Sequence, residues 1–107
     1  MSFTLSDAAT LTEIARTYRE SGYLADPHSA IGLAAARERA PIGLPVIVAA
    51  TAHPAKFPDA IEAATGFRPP LPPHLADLYE RQEVFTAAPA DLAHIEGLVR
   101  NFANRNA

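Results

Sequence analysis

Thr51-Ala52-His53-Pro54-Ala55-Lys56-Phe57 puts a hydroxyl, an imidazole and an ammonium within six residues. Between them these groups can hydrogen-bond, exchange a proton and hold charge. Each also has a structural reading. Thr51 can be a turn hydroxyl bonded to local backbone, His53 a packed imidazole before Pro54, and Lys56 a solvated surface lysine. A second candidate is Asp26-Pro27-His28-Ser29. Its plain reading is an N-cap followed by Pro at the first helical position. His74 and His94 fall on expected helices without a spaced ligand partner. Asp91 and His94 stand at i, i+3, but two residues do not make a metal site. Gly-rich phosphate loops, nucleophile elbows and paired-His helices are absent from the sequence.

The elements that must position these residues follow from periodicity and capping. A first helix starts near Ser6 or Thr10. Thr10-Leu11-Thr12-Glu13 has capping-box spacing, and Ser6-Asp7 is the competing start. Leu11, Ile14, Ala15 and Tyr18 recur on one helical face, and Gly22 is the expected left-handed stop. A second helix begins at Asp26-Pro27. Its Ala30–Ala36 stretch is uncharged, so it is expected to be buried on most sides, and Pro41 and Gly43 end it. Pro45-Val46-Ile47-Val48-Ala49-Ala50 reads as a short strand covered on both faces. The Thr51–Phe57 loop therefore sits at the carboxyl end of a strand, where open α/β sheets keep their ligand sites. Pro58 opens a short helix that Gly66 closes. A Pro-rich connection follows, and Pro73 starts another short helix. Val84 and Phe85 form a brief strand. Pro89 opens a last helix with Leu92, Ile95, Val99 and Phe102 on one face. The fold class expected is an α/β fragment, mostly helical with one or two short strands. A lone buried strand cannot satisfy its own backbone groups, so its neighbours are expected outside this chain, in upstream sequence or in a second subunit.

Composition bounds the function. With 107 residues, 49% of them hydrophobic, the chain suffices for one small domain. A net charge of −3 argues against nucleic acid or an anionic membrane as partner. The absence of Cys removes disulfides, thiolate zinc sites and Cys nucleophiles. Apolar runs are broken by Pro or Gly well short of about 18 residues, and residues 1–4 lack a signal-peptide pattern. A cytoplasmic protein is the expectation. Lys56 is the only lysine, which excludes any mechanism needing several.

The run Ala50-Thr51-Ala52-His53-Pro54-Ala55-Lys56-Phe57 resembles a signature of the threonine synthase family, in its C-terminal part. Seven consecutive specified residues, Thr51 to Phe57, carry the match. Upstream, Gly22-Tyr23-Leu24-Ala25-Asp26-Pro27-His28-Ser29-Ala30-Ile31-Gly32 is similar to the family's Gly-Tyr, Asp-Pro-His and small-residue helix start. Ser29 and Ile31 stand where Thr and Val are frequent. Leu71-Pro72 and Pro89-Ala90-Asp91 fit more loosely, so the resemblance runs from about Thr10 to the end of the chain.

The resemblance implies that residues 1–107 are a single C-terminal segment of a fold type II pyridoxal-phosphate enzyme. That family converts O-phospho-L-homoserine and water to L-threonine and phosphate. It further implies that the cofactor's Schiff-base lysine, its phosphate loop and the small substrate domain belong to sequence absent here. No catalytic residue and no metal ligand is then expected in this segment, and Lys56 is not the imine lysine. Thr51 is carried over as the hydroxyl that hydrogen-bonds the pyridine nitrogen, and Ala52 and His53 as the wall beside the ring. Asp26, His28 and Lys56 are possible neighbours of the site. The expected partners are the remainder of the chain and the substrate, and the segment alone is expected to be inactive. The competing reading is a free-standing, non-catalytic interaction or regulatory module derived from the same sequence.

Overall fold

In the computed structural model, which describes residues 2–105, the first helix, α1, spans Asp7–Ser21. The Ser6 hydroxyl accepts the Ala9 N–H at 3.3 Å, so the earlier of the two starts is used. Thr10 and Glu13 consequently lie inside the helix. The Thr10 hydroxyl donates to the Ser6 carbonyl at 2.9 Å instead of capping.

The buried face of α1 is Thr10, Glu13, Ile14 and Thr17. This is rotated from the expected Leu11–Ile14–Ala15–Tyr18 stripe, and a charge explains the rotation. Glu13 is only 6% exposed because its Oε1 accepts from Arg37 Nε at 2.7 Å and from the Thr17 hydroxyl at 3.1 Å. A carboxylate buried without such partners would be strongly destabilising. Arg37 also reaches Glu20 at 3.0 Å. Tyr18 lies at the rim, its ring centroid 5.4 Å from that of Phe67. Gly22, at φ 75, stops the helix, and its N–H donates to the Tyr18 carbonyl at 2.8 Å.

The second helix, α2, spans Pro27–Arg39 and begins where the sequence places it, with Asp26 as N-cap and Pro27 in the first turn. Only Ser29 and Ala30 of α2 are fully buried, and residues 31–36 are half-buried, so its apolar length is less covered than expected. The third helix, α3, runs Pro58–Thr65 and ends at Gly66, φ 83. Helix α1 packs against both α2 and α3. The core at their meeting is Ile14, Ala25, Ala30 and Ile61, flanked by Leu11, Leu24, Leu33 and Ala64.

The two expected strands do not form. Among the described residues there is no β-strand, either at Pro45–Ala50 or at Val84–Phe85. A strand exists only through ladder bonds to a neighbour, and no described segment supplies them. Ile47 is 97% exposed and Val84 96%. The 45–50 segment is held instead by close approach to α2. A Cβ on Gly32 would come within 2.9 Å of Val48 Cγ1, so the absence of a side chain at Gly32 lets the segment approach the helix there.

The remaining C-terminal part is looser. The expected helix from Pro73 appears as two short 3₁₀ turns, Pro73–Leu75 and Leu78–Glu80. The last helix, α4, spans Leu92–Arg105 and starts after Asp91, whose Oδ1 accepts the His94 N–H at 2.8 Å. It begins later than Pro89 because Asp91 supplies the cap. No residue of α4 is buried, and Leu92 is 75% exposed. The radius of gyration is 18.7 Å, against about 13 Å for a compact chain of this length.

This architecture makes a discriminating prediction. Ile61→Ala empties a fully buried site and should cost about 3 kcal/mol. Val99→Ala, on the exposed α4, should stay within about 0.5 kcal/mol. Urea unfolding of both variants reads the difference, and equal losses would contradict the three-helix core.

Candidate functional site

Asp26 is the fixed point of the site. It caps α2 with its carboxylate 1% exposed as a residue. Oδ1 accepts the His28 N–H at 2.9 Å and the Ser29 N–H at 3.3 Å. Oδ2 accepts the Ser29 hydroxyl. The ring Nδ1 of His28 lies 3.3 Å from Oδ1 and adds an ion pair when that imidazole is protonated. Burial pushes the Asp26 carboxyl up, but the hydrogen bonds from Ser29 and His28 outweigh it and hold it below the usual carboxylate value.

The Ser29 oxygen, having donated its proton to Asp26, accepts the backbone N–H of Thr51 at 3.1 Å. One buried side chain thus joins the start of α2 to a residue 22 positions later. Thr51 itself is exposed, and its hydroxyl makes no hydrogen bond to the described residues. Its main chain is pinned while its side chain stays available.

The residues after Thr51 close into a 3₁₀ turn, Pro54–Lys56. His53 caps that turn: Nδ1 accepts the Ala55 N–H at 3.1 Å. That nitrogen is therefore unprotonated when the cap is made, and Nε2 carries the proton of the neutral ring. Phe57 follows, its ring centroid 5.0 Å from that of His28. This contact ties the loop to the first turn of α2 a second time.

Two open clefts adjoin the loop. One, of about 440 Å³, is lined by Ala52, His53 and Pro54, by Tyr23 and Leu24, and by the Pro-rich 69–73 segment. The other, of about 530 Å³, is lined by His53, Ala55, Lys56, Leu71, Leu75 and Tyr79 among others. His53 contributes to both, Ala52 only to the first and Lys56 only to the second. Thr51 lines neither and is exposed.

The structure therefore links Asp26 to Thr51 through Ser29 and sets His28 against Asp26 and Phe57. It places Ala52 and His53 on one wall and sets Lys56 apart. Ser29 is the residue that its sequence motif did not single out. Its signal was its place at the third helical position after an Asp cap, where a hydroxyl reaches back to the cap. Groups of three or more metal-ligating side chains are absent among the described residues, as are helices long and apolar enough to cross a membrane.

The family described as threonine synthase, C-terminal, matches residues 29–99. This chain belongs to the threonine synthase family. The threonine synthase of Pseudomonas aeruginosa is 49% identical over 97% of this chain, and the match covers 23% of that protein. That of Escherichia coli is 34% identical over 89% of this chain and is covered over 22% of its length. Among solved structures, pyridoxal-phosphate-bound threonine synthase from Brucella melitensis superposes with a TM-score of 0.72 at 48% identity. That comparison covers 89% of this chain and 20% of the other. The chain thus spans less than a quarter of the length of these family members.

The ionised Asp26 carries a pH prediction. Its folded-state pKa is lowered, so its stabilising effect is complete above the unfolded value of about 3.9 and is lost as pH falls through the lower folded value. Asp26→Ala should cost about 1 kcal/mol or somewhat more near neutral pH and flatten the acid limb of stability. Urea midpoints measured from pH 7 to pH 3 test this, and an unchanged acid limb in the variant would contradict it.

Proposed function

We propose that this chain is the C-terminal segment of a threonine synthase, a fold type II pyridoxal-phosphate enzyme. The reaction is conversion of O-phospho-L-homoserine and water to L-threonine and phosphate in the cytoplasm. The observation that carries the reading is Thr51, whose backbone N–H is bonded to Ser29 and whose exposed hydroxyl makes no hydrogen bond to the described residues. Family membership and the cofactor-bound relative support it.

The donor chemistry fits the group. A pyridine nitrogen needs a hydrogen-bond partner, and a neutral hydroxyl provides one without forcing that nitrogen to be protonated, as a carboxylate would. The cofactor, when bound, supplies the electron sink for carbanion chemistry. The contribution of this segment is positional. Thr51 would hold the pyridine nitrogen of the cofactor by its hydroxyl. Ala52 keeps the adjoining wall low, and His53 locks the turn that ends that wall. Asp26 and His28 stabilise the base of the loop. Lys56 stands in the neighbouring cleft as a charge away from Thr51.

The rest of the enzyme is the segment's principal partner. The exposed apolar residues Ile42, Ile47, Val84, Phe85 and Leu92 support this, because such area is costly in water and belongs against another surface. Alone, the 107-residue chain is expected to be inactive.

In the intact enzyme, Thr51→Val should lower turnover about tenfold, the worth of roughly one hydrogen bond, while the melting temperature stays near that of the parent. The absorbance of the bound cofactor should shift as well. Steady-state kinetics and absorption spectra of the variant check this, and parental values for both would overturn the assignment of Thr51.

A further inference from the structure

We infer that Ser29 is a positioning residue for the cofactor-facing hydroxyl, acting through the Thr51 backbone rather than by touching any ligand. The inference rests on the reading of Thr51 given above. Three observations carry it. Ser29 is 3% exposed, so its hydroxyl has no access to bulk water and must satisfy itself within the protein. Its proton goes to Asp26 Oδ2, and its oxygen receives the Thr51 N–H at 3.1 Å. Gly32, one turn further along the same face of α2, leaves room for Val48, three residues before Thr51, because a Cβ there would come within 2.9 Å of Val48 Cγ1. The approach to Thr51 is therefore held at two points of one helix face.

The direction of the proton is what makes the arrangement specific. An ionised carboxylate can only accept. Facing Asp26, the Ser29 hydroxyl has to donate to it, which leaves the oxygen's lone pair for the Thr51 N–H. A side chain free to rotate its proton the other way would repel that N–H. Asp26 thus acts on Thr51 at one remove. Its two oxygens divide the tasks: Oδ1 caps the helix and Oδ2 orients the serine.

Without Ser29 the Thr51 amide loses its hydrogen-bond partner among the described residues. The contacts that remain between this segment and α2 include the Gly32–Val48 approach and the His28–Phe57 ring contact. Both are apolar or aromatic contacts with no directional demand on the peptide plane. The hydroxyl of Thr51 would then sample several positions, and a displacement of the order of 1 Å is enough to degrade a preorganised contact.

The test uses the intact enzyme with its cofactor, in four variants: Ser29→Ala, Ser29→Thr, Asp26→Asn and Thr51→Val. Ser29→Ala is expected to lower kcat about tenfold with little change in KM, and to shift the cofactor absorbance in the same direction as Thr51→Val. Ser29→Thr, which keeps the hydroxyl, should restore both. Asp26→Asn keeps a cap acceptor but can donate to Ser29, and so should reproduce part of the Ser29→Ala shift even if Ser29→Ala fails to fold. If Thr51→Val changes kcat and absorbance while Ser29→Ala and Asp26→Asn match the parent, the positioning role is overturned and Thr51 stands. If Thr51→Val matches the parent as well, the reading of Thr51 falls and takes this inference with it.

Discussion

The hydrogen-bonded chain from the Asp26 carboxylate through the Ser29 hydroxyl to the Thr51 N–H is the constraint on which the site depends. It solves two problems at once. The first is local: a helix start buried in protein has orphan N–H groups, and Asp26 accepts two of them. The second is long-range: an irregular segment with no sheet partner among the described residues has to arrive at a defined place. Burying an ionised carboxylate is costly unless its oxygens are hydrogen-bonded, and the bond that Oδ2 accepts from Ser29 is what reaches the loop. The capping of a helix and the placement of the Thr51 backbone are here one network.

The helices behind that network keep it rigid. Arg37, near the end of α2, pairs with the buried Glu13 of α1, and α1 in turn shares its core with Ile61 of α3. Both ends of α2 are therefore tied down, one by Asp26 and the other by Arg37. Beyond residue 70 the order of packing changes. The 3₁₀ turns and α4 are well formed locally yet bury little. Their apolar side chains face outward, and in a longer enzyme they would be the surface that meets the rest of the chain.

Much of this was legible in the sequence because it is local. Asp26-Pro27 announces a helix start by cap chemistry alone, and Gly22 and Gly66 announce stops by their freedom at positive φ. The Thr51–Phe57 run was legible as a candidate site by its residue types, and it carried the family resemblance that the comparisons bear out. What could not be read is what depends on distant partners. The Pro45–Ala50 run has every local mark of a buried strand, but a strand is a relation between two segments and its counterpart is not among the described residues. The inward turn of Glu13 was hidden for the same reason, since its partner lies 24 residues away on another helix. Ser29 could be seen as a helix-start hydroxyl, but not as the link to Thr51.

The most direct measurement is a crystal structure of the intact enzyme with pyridoxal phosphate bound. Thr51 Oγ1 is expected within about 3 Å of the ring nitrogen, the ordinary reach of such a hydrogen bond, with Ser29 Oγ still bridging Asp26 and the Thr51 N–H. A ring nitrogen met by some other side chain, with Thr51 turned away from the cofactor, would contradict the assignment.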